Sequence, residues 1–379
     1  RKRCLEFAKT NLESPLAIAG DEIDRDPWSL PMANGVVDLR TGEMRPGRPD
    51  DWLVKSSPVE WQGIDAPCPH WEHFVTEIMG DDPEMASFLQ RAFGYGVTGL
   101  AREHIFLVLF GRGRNGKSIM TEVIQTALGG KHAATTLAGP VQSEMLLDQG
   151  KNRNAAGPSP DIMSLRGLRM AFASETDEGQ RFSSTRVKWF SGGDTLIGRY
   201  PHDKRNISFE PTHLLVLLTN HKPHAPASDF AFWERLLLVD FPLSFVDRKP
   251  QNENERPMDK GLKDRLLQEL PGIAAWLVRG CLEWQRVGIA PPAKVREATS
   301  EYRRDEDLLA DFVDECCDLQ QEGQPEIRSK ASDLYDAFCA WFKRNVSAKK
   351  TISQKAFGKM MLERFQRERK GGTYYYFGV

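Results

Sequence analysis

Eight residues, "GRGRNGKS" from Gly111 to Ser118, have the types and spacing to hold a chain of phosphates. Gly111, Gly116, Lys117 and Ser118 meet the pattern G-x-x-x-x-G-K-[ST], and Arg112, Gly113, Arg114 and Asn115 complete the loop. Glycines let successive backbone N–H groups turn inward around phosphate oxygens. Lys117 adds a positive charge at the β- and γ-phosphates. The Ser118 hydroxyl suits Mg²⁺, and the helix that follows points its positive end at the anion. The apolar "HIFLVLF" precedes the loop and the amphipathic "SIMTEVIQTAL" follows it. Strand, loop, helix is the context this chemistry needs, so ATP and Mg²⁺ are the expected cofactors.

Hydrolysis also needs an acid near the metal and the attacking water. "LRMAFASETDE" offers Glu175 at the end of an apolar run, and Asp177 or Glu178 could share its task. The position before Glu175 is Ser174, so Glu175 is expected to serve metal and water together. "HLLVLLTN" ends in Asn220, an amide at a strand tip that could orient the water. Arg235 stands just before "LLLVDF". An arginine there cannot easily reach its own nucleotide, but in a ring it can reach a neighbour's as an arginine finger.

These residues need a sheet to converge on. "HIFLVLF", "LRMAFAS", "HLLVLLT" and "RLLLVDF" are short apolar runs without alternation, which suits strands buried on both faces. With helices between them they predict an α/β fold with a mainly parallel sheet. Earlier, Asn34-Gly35 and Thr41-Gly42 flank "VVDL" as a small hairpin, and residues 71–100 show helical periodicity. Residues 262–286 are helical, with Pro271-Gly272 expected to split them. Residues 305–326 hold nine acids and no Lys or Arg, with apolar spacing that predicts a helix. Residues 343–370 hold ten Lys/Arg against two Glu. Around that basic segment, two helices and a turn-strand "RERKGGTYYYFGV" suggest a winged-helix-like domain.

Composition narrows the class. The chain has 379 residues, 40% hydrophobic and 27% charged, the make-up of a globular protein. A net charge of −2 gives no global attraction to nucleic acid, so such contacts must come from local patches. No apolar run is long enough for a membrane span. The six cysteines are scattered, as expected of reduced thiols in a cytoplasmic compartment. Cys68, His70 and His73 lie close together, but no second pair follows at zinc spacing. That stretch reads as a solvated helix start with Trp71 and Phe74 turned inward. The first residue is Arg, which suggests a piece of a longer polypeptide.

Gly111–Ser118, Glu175, "KWFSGGD" at Lys188–Asp194, "TN" at Thr219–Asn220 and "ERL" at Glu234–Leu236 occur in the order of a known family. Together they resemble the superfamily 3 helicases, in particular the phage/plasmid and poxvirus-type primase-helicases. The resemblance implies an AAA+-type motor assembled as a hexameric ring that moves on single-stranded DNA, typically 3′ to 5′, and unwinds forked duplex. It implies Lys117, Ser118 and Glu175 on nucleotide and Mg²⁺, Asn220 as sensor and Arg235 as the finger in trans. It also implies a primase module upstream. The implied organisation is an N-terminal accessory segment at 1–70 and a helical collar at 71–100. An AAA+ core at 101–246, a helical lid at 247–304 and a winged-helix-like DNA-binding domain at 305–379 follow.

DNA contacts are expected at two places. "GRYPHDKRN" (Gly198–Asn206) carries Arg199, His202, Lys204 and Arg205 in a turn, and resembles the family's channel hairpin; Lys188 resembles its motif lysine. The second place is the basic C-terminal segment with Lys349, Lys350, Lys355 and Lys359. A DNA-binding initiator or loader that uses ATP to assemble without unwinding would carry the same motifs. A small-molecule kinase would not need the basic C-terminal segment.

Overall fold

The computed structural model describes residues 23–129, 135–150, 158–174, 178–203, 205–320, 327–345 and 352–379. They form two compact units. One draws on Arg1–Ala225 and Ala231–Ser300, the other on Pro226–Phe230 and Glu301–Val379.

The larger unit opens with three antiparallel strands, β1 (Ser29–Met32), β2 (Gly35–Asp38) and β3 (Glu43–Arg45). The expected hairpin is β2–β3, and β1 extends it. Two helices follow, Pro69–Ile78 and Pro83–Gly96. The single helical stretch expected over 71–100 is therefore broken. Gly80 and Asp81 take left-handed φ values of 73° and 60°, and Asp82 restarts the helix by accepting from the Glu84 and Met85 N–H groups at 3.0 and 3.2 Å.

Next comes a five-stranded parallel sheet: β4 (Phe106–Phe110), β5 (Ala138–Gln142), β6 (Met170–Ser174), β9 (Leu214–Thr219) and β10 (Leu236–Asp240), in the order β10-β4-β9-β6-β5. Four of them are the apolar runs read from sequence. β5, "AGPVQ", escaped because its Gly and Pro are poor strand formers, tolerated here at the sheet edge. Between β6 and β9, β7 (Leu196–Gly198) and β8 (Ile207–Phe209) pair as an antiparallel hairpin. After β10, β11 (Ser244–Val246) and β12 (Glu255–Pro257) form a short parallel pair.

The unit's second long helix pair is Leu262–Gln268 and Leu270–Val287. The break falls at Glu269, not at Pro271-Gly272. Pro271 lies in the first turn, where its missing N–H costs nothing. The Leu270–Val287 helix crosses Pro83–Gly96 at Gly94 and Gly280. A Cβ on Gly94 would lie 2.2 Å from the Cys281 nitrogen, and one on Gly280 would lie 2.0 Å from the Gln90 carbonyl. Only glycine permits so close an approach. The core around this crossing includes Trp71, Phe88, Phe93, Trp276 and Trp284.

The smaller unit holds the helices Leu308–Cys316, Ala331–Asn345 and Gln354–Leu362, with β13 (Arg328–Lys330), β14 (Arg367–Lys370) and β15 (Thr373–Phe377) in the order β13-β15-β14. Its core is Phe312, Phe338, Trp341, Phe357 and Tyr376. The acidic helix is shorter than the 305–326 stretch: it ends at Cys316, where Cys317 turns extended, and 321–326 lie outside the described residues. Its N-cap Asp307 pairs with Arg364. Among the described residues, no helix is long and apolar enough to cross a membrane.

Candidate nucleotide site and nucleic-acid contact residues

The carboxyl ends of the parallel strands gather the predicted residues. Register pairs Phe110 with both Thr219 and Asp240, and Ser174 with Leu218. Gly111 and Asn220 therefore leave the sheet side by side. In open α/β sheets this rim is where ligands bind.

The loop leaves β4 and enters the Lys117–Leu128 helix at Gly116, whose φ is 85°. A Cβ there would lie 2.6 Å from Ile78 Cγ2, so this position needs glycine on both counts. Gly113 and Arg114 are also left-handed, at 95° and 51°. The Lys117 ammonium donates to the Gly111 carbonyl at 2.6 Å and to Asn220 Oδ1 at 3.2 Å. Burial lowers its pKa to about 8, because a desolvated ammonium is costly. Asn115 is 4% exposed, and its Nδ2 has no partner among the described residues. A buried unpaired donor is costly and marks a place for an acceptor. Ser118 is exposed at the head of the helix, with Arg112 and Arg114 exposed on the loop. The donor set of lysine, loop N–H groups and hydroxyl fits a nucleotide's phosphates with Mg²⁺.

Thr219 shapes the turn after β9. Its hydroxyl donates to the His221 carbonyl at 2.5 Å and accepts from the His221 N–H at 3.1 Å. That turn also delivers Lys222, whose ammonium lies 5.0 Å from the Phe110 ring centroid, beside the root of the loop. Lys222 was missed in the sequence. The available signal was a cation two residues beyond a strand-tip amide.

Other predicted residues lie elsewhere. Glu175, Asp177, Lys204, Lys349 and Lys350 fall outside the described residues; Glu178 is exposed. Arg235 stands at the opposite end of the sheet. Its carbonyl accepts from the Phe106 N–H at 2.8 Å, and Leu236 pairs with Phe106, the first residue of β4. A five-residue strand spans about 17 Å, so Arg235 does not join Lys117 and Asn220 within one chain. Its guanidinium donates to the Ala231 carbonyl at 3.1 Å, and its Nε is buried without a partner among the described residues.

Arg199, His202 and Arg205 lie on the loop that joins β7 and β8. Arg199 donates to the Asp203 carbonyl at 3.0 Å, while His202 and Arg205 are exposed. Lys188 is half-buried on the Ser184–Ser191 helix. Lys355 and Lys359 are exposed one turn apart on the Gln354–Leu362 helix. At the helix start near residue 70, Trp71 and Phe74 are buried, and His70 pairs with Glu269 at 2.7 Å. Cys68 is buried, which pushes its thiol up to about 12.

The fold and loop define a P-loop-type α/β protein. The family described as "D5 N terminal like" matches residues 1–80. "Putative helicase L207/L206" of Acanthamoeba polyphaga mimivirus is 26% identical over 339 residues, covering 86% of this chain and 34% of that protein. "Putative helicase 022R" of Frog virus 3 is 24% identical, covering 86% of this chain and 40% of its own. Among solved structures, the apo NrS-1 C-terminal region aligns over 100% of this chain and 90% of its own, at 10% identity and a TM-score of 0.45. The chain thus spans between a third and two fifths of the length of these curated relatives. These similarities support a superfamily 3 primase-helicase relationship.

Proposed function

We propose that this chain is the ATP-hydrolysing motor of a DNA helicase, an AAA+-type hexameric ring that moves 3′ to 5′ on single-stranded DNA. The observation that carries the proposal is the meeting of Lys117 and Asn220 at the sheet rim while Arg235 stands at the far end. That is the division expected when one subunit's loop is completed by its neighbour's arginine.

Within one subunit, the N–H groups of Gly111–Ser118 and the Lys117 ammonium hold the β- and γ-phosphates. Asn115 Nδ2 and Lys222 would add further donors. Ser118 and Glu175 are the residues that would hold Mg²⁺, which when bound neutralises charge on the β- and γ-oxygens. Glu175 takes the proton from the attacking water. Asn220, released from Lys117 when phosphate takes the ammonium, orients that water. Arg235 of the adjacent copy stabilises charge on the transferred group. Basic residues at the β7–β8 turn, Arg199, His202, Lys204 and Arg205, with Lys188, contact the strand's phosphates without reading sequence.

The proposed organisation keeps an accessory segment at 1–70, a collar at 71–100, the motor at 101–246, a lid at 247–304 and a winged-helix-like domain at 305–379. In the last, Lys349, Lys350, Lys355 and Lys359 face DNA. A primase module upstream in the full protein and a cytoplasmic setting belong to the same proposal.

The test is strand displacement on forked DNA beside ATP hydrolysis. Hydrolysis with displacement supports the motor. Hydrolysis without displacement on any fork would point to the loader.

A further inference from the structure

The smaller unit carries a surface that the motor does not use. β15 reads "TYYYF", and alternation sends its side chains to opposite faces. Tyr376 is 1% exposed and belongs to the unit's core. Tyr375 and Phe377 therefore lie on the outer face, are half-buried and stand outside that core cluster. Both neighbouring strands bring cations to them. Register places Arg328 opposite Phe377, Lys330 opposite Tyr375 and Lys370 opposite Thr373. The Arg328 guanidinium lies 5.4 Å from the Tyr375 ring centroid, and the Lys370 ammonium 5.3 Å from that of Phe377. Glu368 is the acid on this face, 3.9 Å from Lys370.

The hairpin tip repeats the pattern on its other side. Tyr374 is 44% exposed, with the guanidiniums of Arg367 and Arg369 at 4.6 and 5.7 Å from its centroid. The turn itself is Gly371-Gly372, both left-handed at 58° and 86°, the two-residue geometry that holds a hairpin rigid and in register.

We propose that the outer face of the β13-β15-β14 sheet, with Tyr375 and Phe377 set among Arg328, Lys330 and Lys370, binds single-stranded nucleic acid by stacking bases on the two rings. The inference builds on the nucleic-acid part of the function proposed above, at a face that proposal leaves unassigned, and is independent of ATP hydrolysis. The partner follows from the chemistry. Cations alone would suit any polyanion, including an acidic peptide. Exposed aromatic rings add a binding term that only unstacked bases collect, because a duplex keeps its π-faces inside. Tyr375 and Phe377 are about 7 Å apart along the strand, about twice the spacing of nucleotides in a stacked strand. Successive bases of a stretched strand can each meet a ring. An exposed cation–π contact is weaker than base stacking, so a base displaces the cation, which then turns to the neighbouring phosphate.

The test uses the full chain, without nucleotide, and a fluorescent oligo-dT followed by anisotropy across a salt series. Tyr375→Ala should weaken binding about tenfold with the slope against salt unchanged. Tyr375→Trp should restore it. Lys370→Ala should reduce the slope by about one. Tyr375→Leu, which keeps apolar bulk without a π-face, should fail like Tyr375→Ala, and it carries the test if the alanine variant melts early. Wild-type affinity in Tyr375→Leu would overturn the inference, as would polyglutamate competing as well as oligo-dT. Wild-type protein that binds no single strand at all would overturn the nucleic-acid reading itself. Binding that is lost in Arg205→Ala yet indifferent to Tyr375 would overturn only this face.

Discussion

The phosphate loop and the C-terminal hairpin both present cations, and they do so in opposite ways. Lys117 is buried, held by two oxygens at fixed distances, and burial lowers its pKa. Arg367, Arg369 and Lys370 are exposed, resting on aromatic rings. A buried cation is expensive to install, so its value lies in meeting one anion at one place. A row of exposed cations is cheap and each contributes little, so their value lies in number and in salt-sensitive attraction. On the proposed reading, the difference separates a site for chemistry from surfaces for grip.

That contrast predicts a hierarchy of effects. Arg235→Ala should lower ATP hydrolysis by about a thousandfold if it acts as a finger. Mixing it with Lys117→Ala should recover part of the activity, since one mixed interface then holds both intact residues. Full hydrolysis in pure Arg235→Ala would remove the finger from the account. Lys117→Ala should cost about a hundredfold or more in turnover, with nucleotide affinity, read by a fluorescent analogue, falling as well. Lys222→Ala should be milder, about tenfold, and should weaken ATP binding more than ADP binding if the ammonium reaches the γ-phosphate. Equal losses for the two nucleotides would place Lys222 outside that role. Smallest of all, Lys359→Ala should weaken DNA binding a few-fold at low salt and hardly at high salt, leaving hydrolysis without DNA unchanged.

The same contrast has a pH signature. The folded pKa of Lys117, about 8, lies below its ordinary 10.5. Between those values the unfolded chain binds the proton more tightly. Unfolding there takes up a proton, so the nucleotide-free protein should gain stability as pH rises from about 8 towards 10.5. Lys117→Met should lose that gain in thermal melts, while Lys370→Met should keep it.

How much of this was legible in the sequence depended on whether the signal was local. The loop, β4, β6, β9 and β10 were readable because a strand buried on both faces must be apolar throughout. The broken helix at Gly80–Asp82 was not, because apolar spacing on its two sides keeps nearly the same phase. β5 hid behind its Gly and Pro. Lys222 and the Tyr375 face were invisible for a different reason: their meaning lies in register, which brings Phe110 under one and Arg328 over the other. Arg235 was readable as a candidate finger, and it stands at the start of β10, at the other end of the sheet from Lys117. What joins it to a loop is a second copy of the chain, and that is still a proposal.

As proposed, "GRGRNGKS" feeds a ring-shaped motor on DNA. The most direct measurement is ATP hydrolysis with and without single-stranded DNA, read beside mass in solution. Hydrolysis strongly stimulated by DNA in a ring-sized assembly is the expected result. A monomer that hydrolyses ATP at the same rate with or without DNA would contradict it.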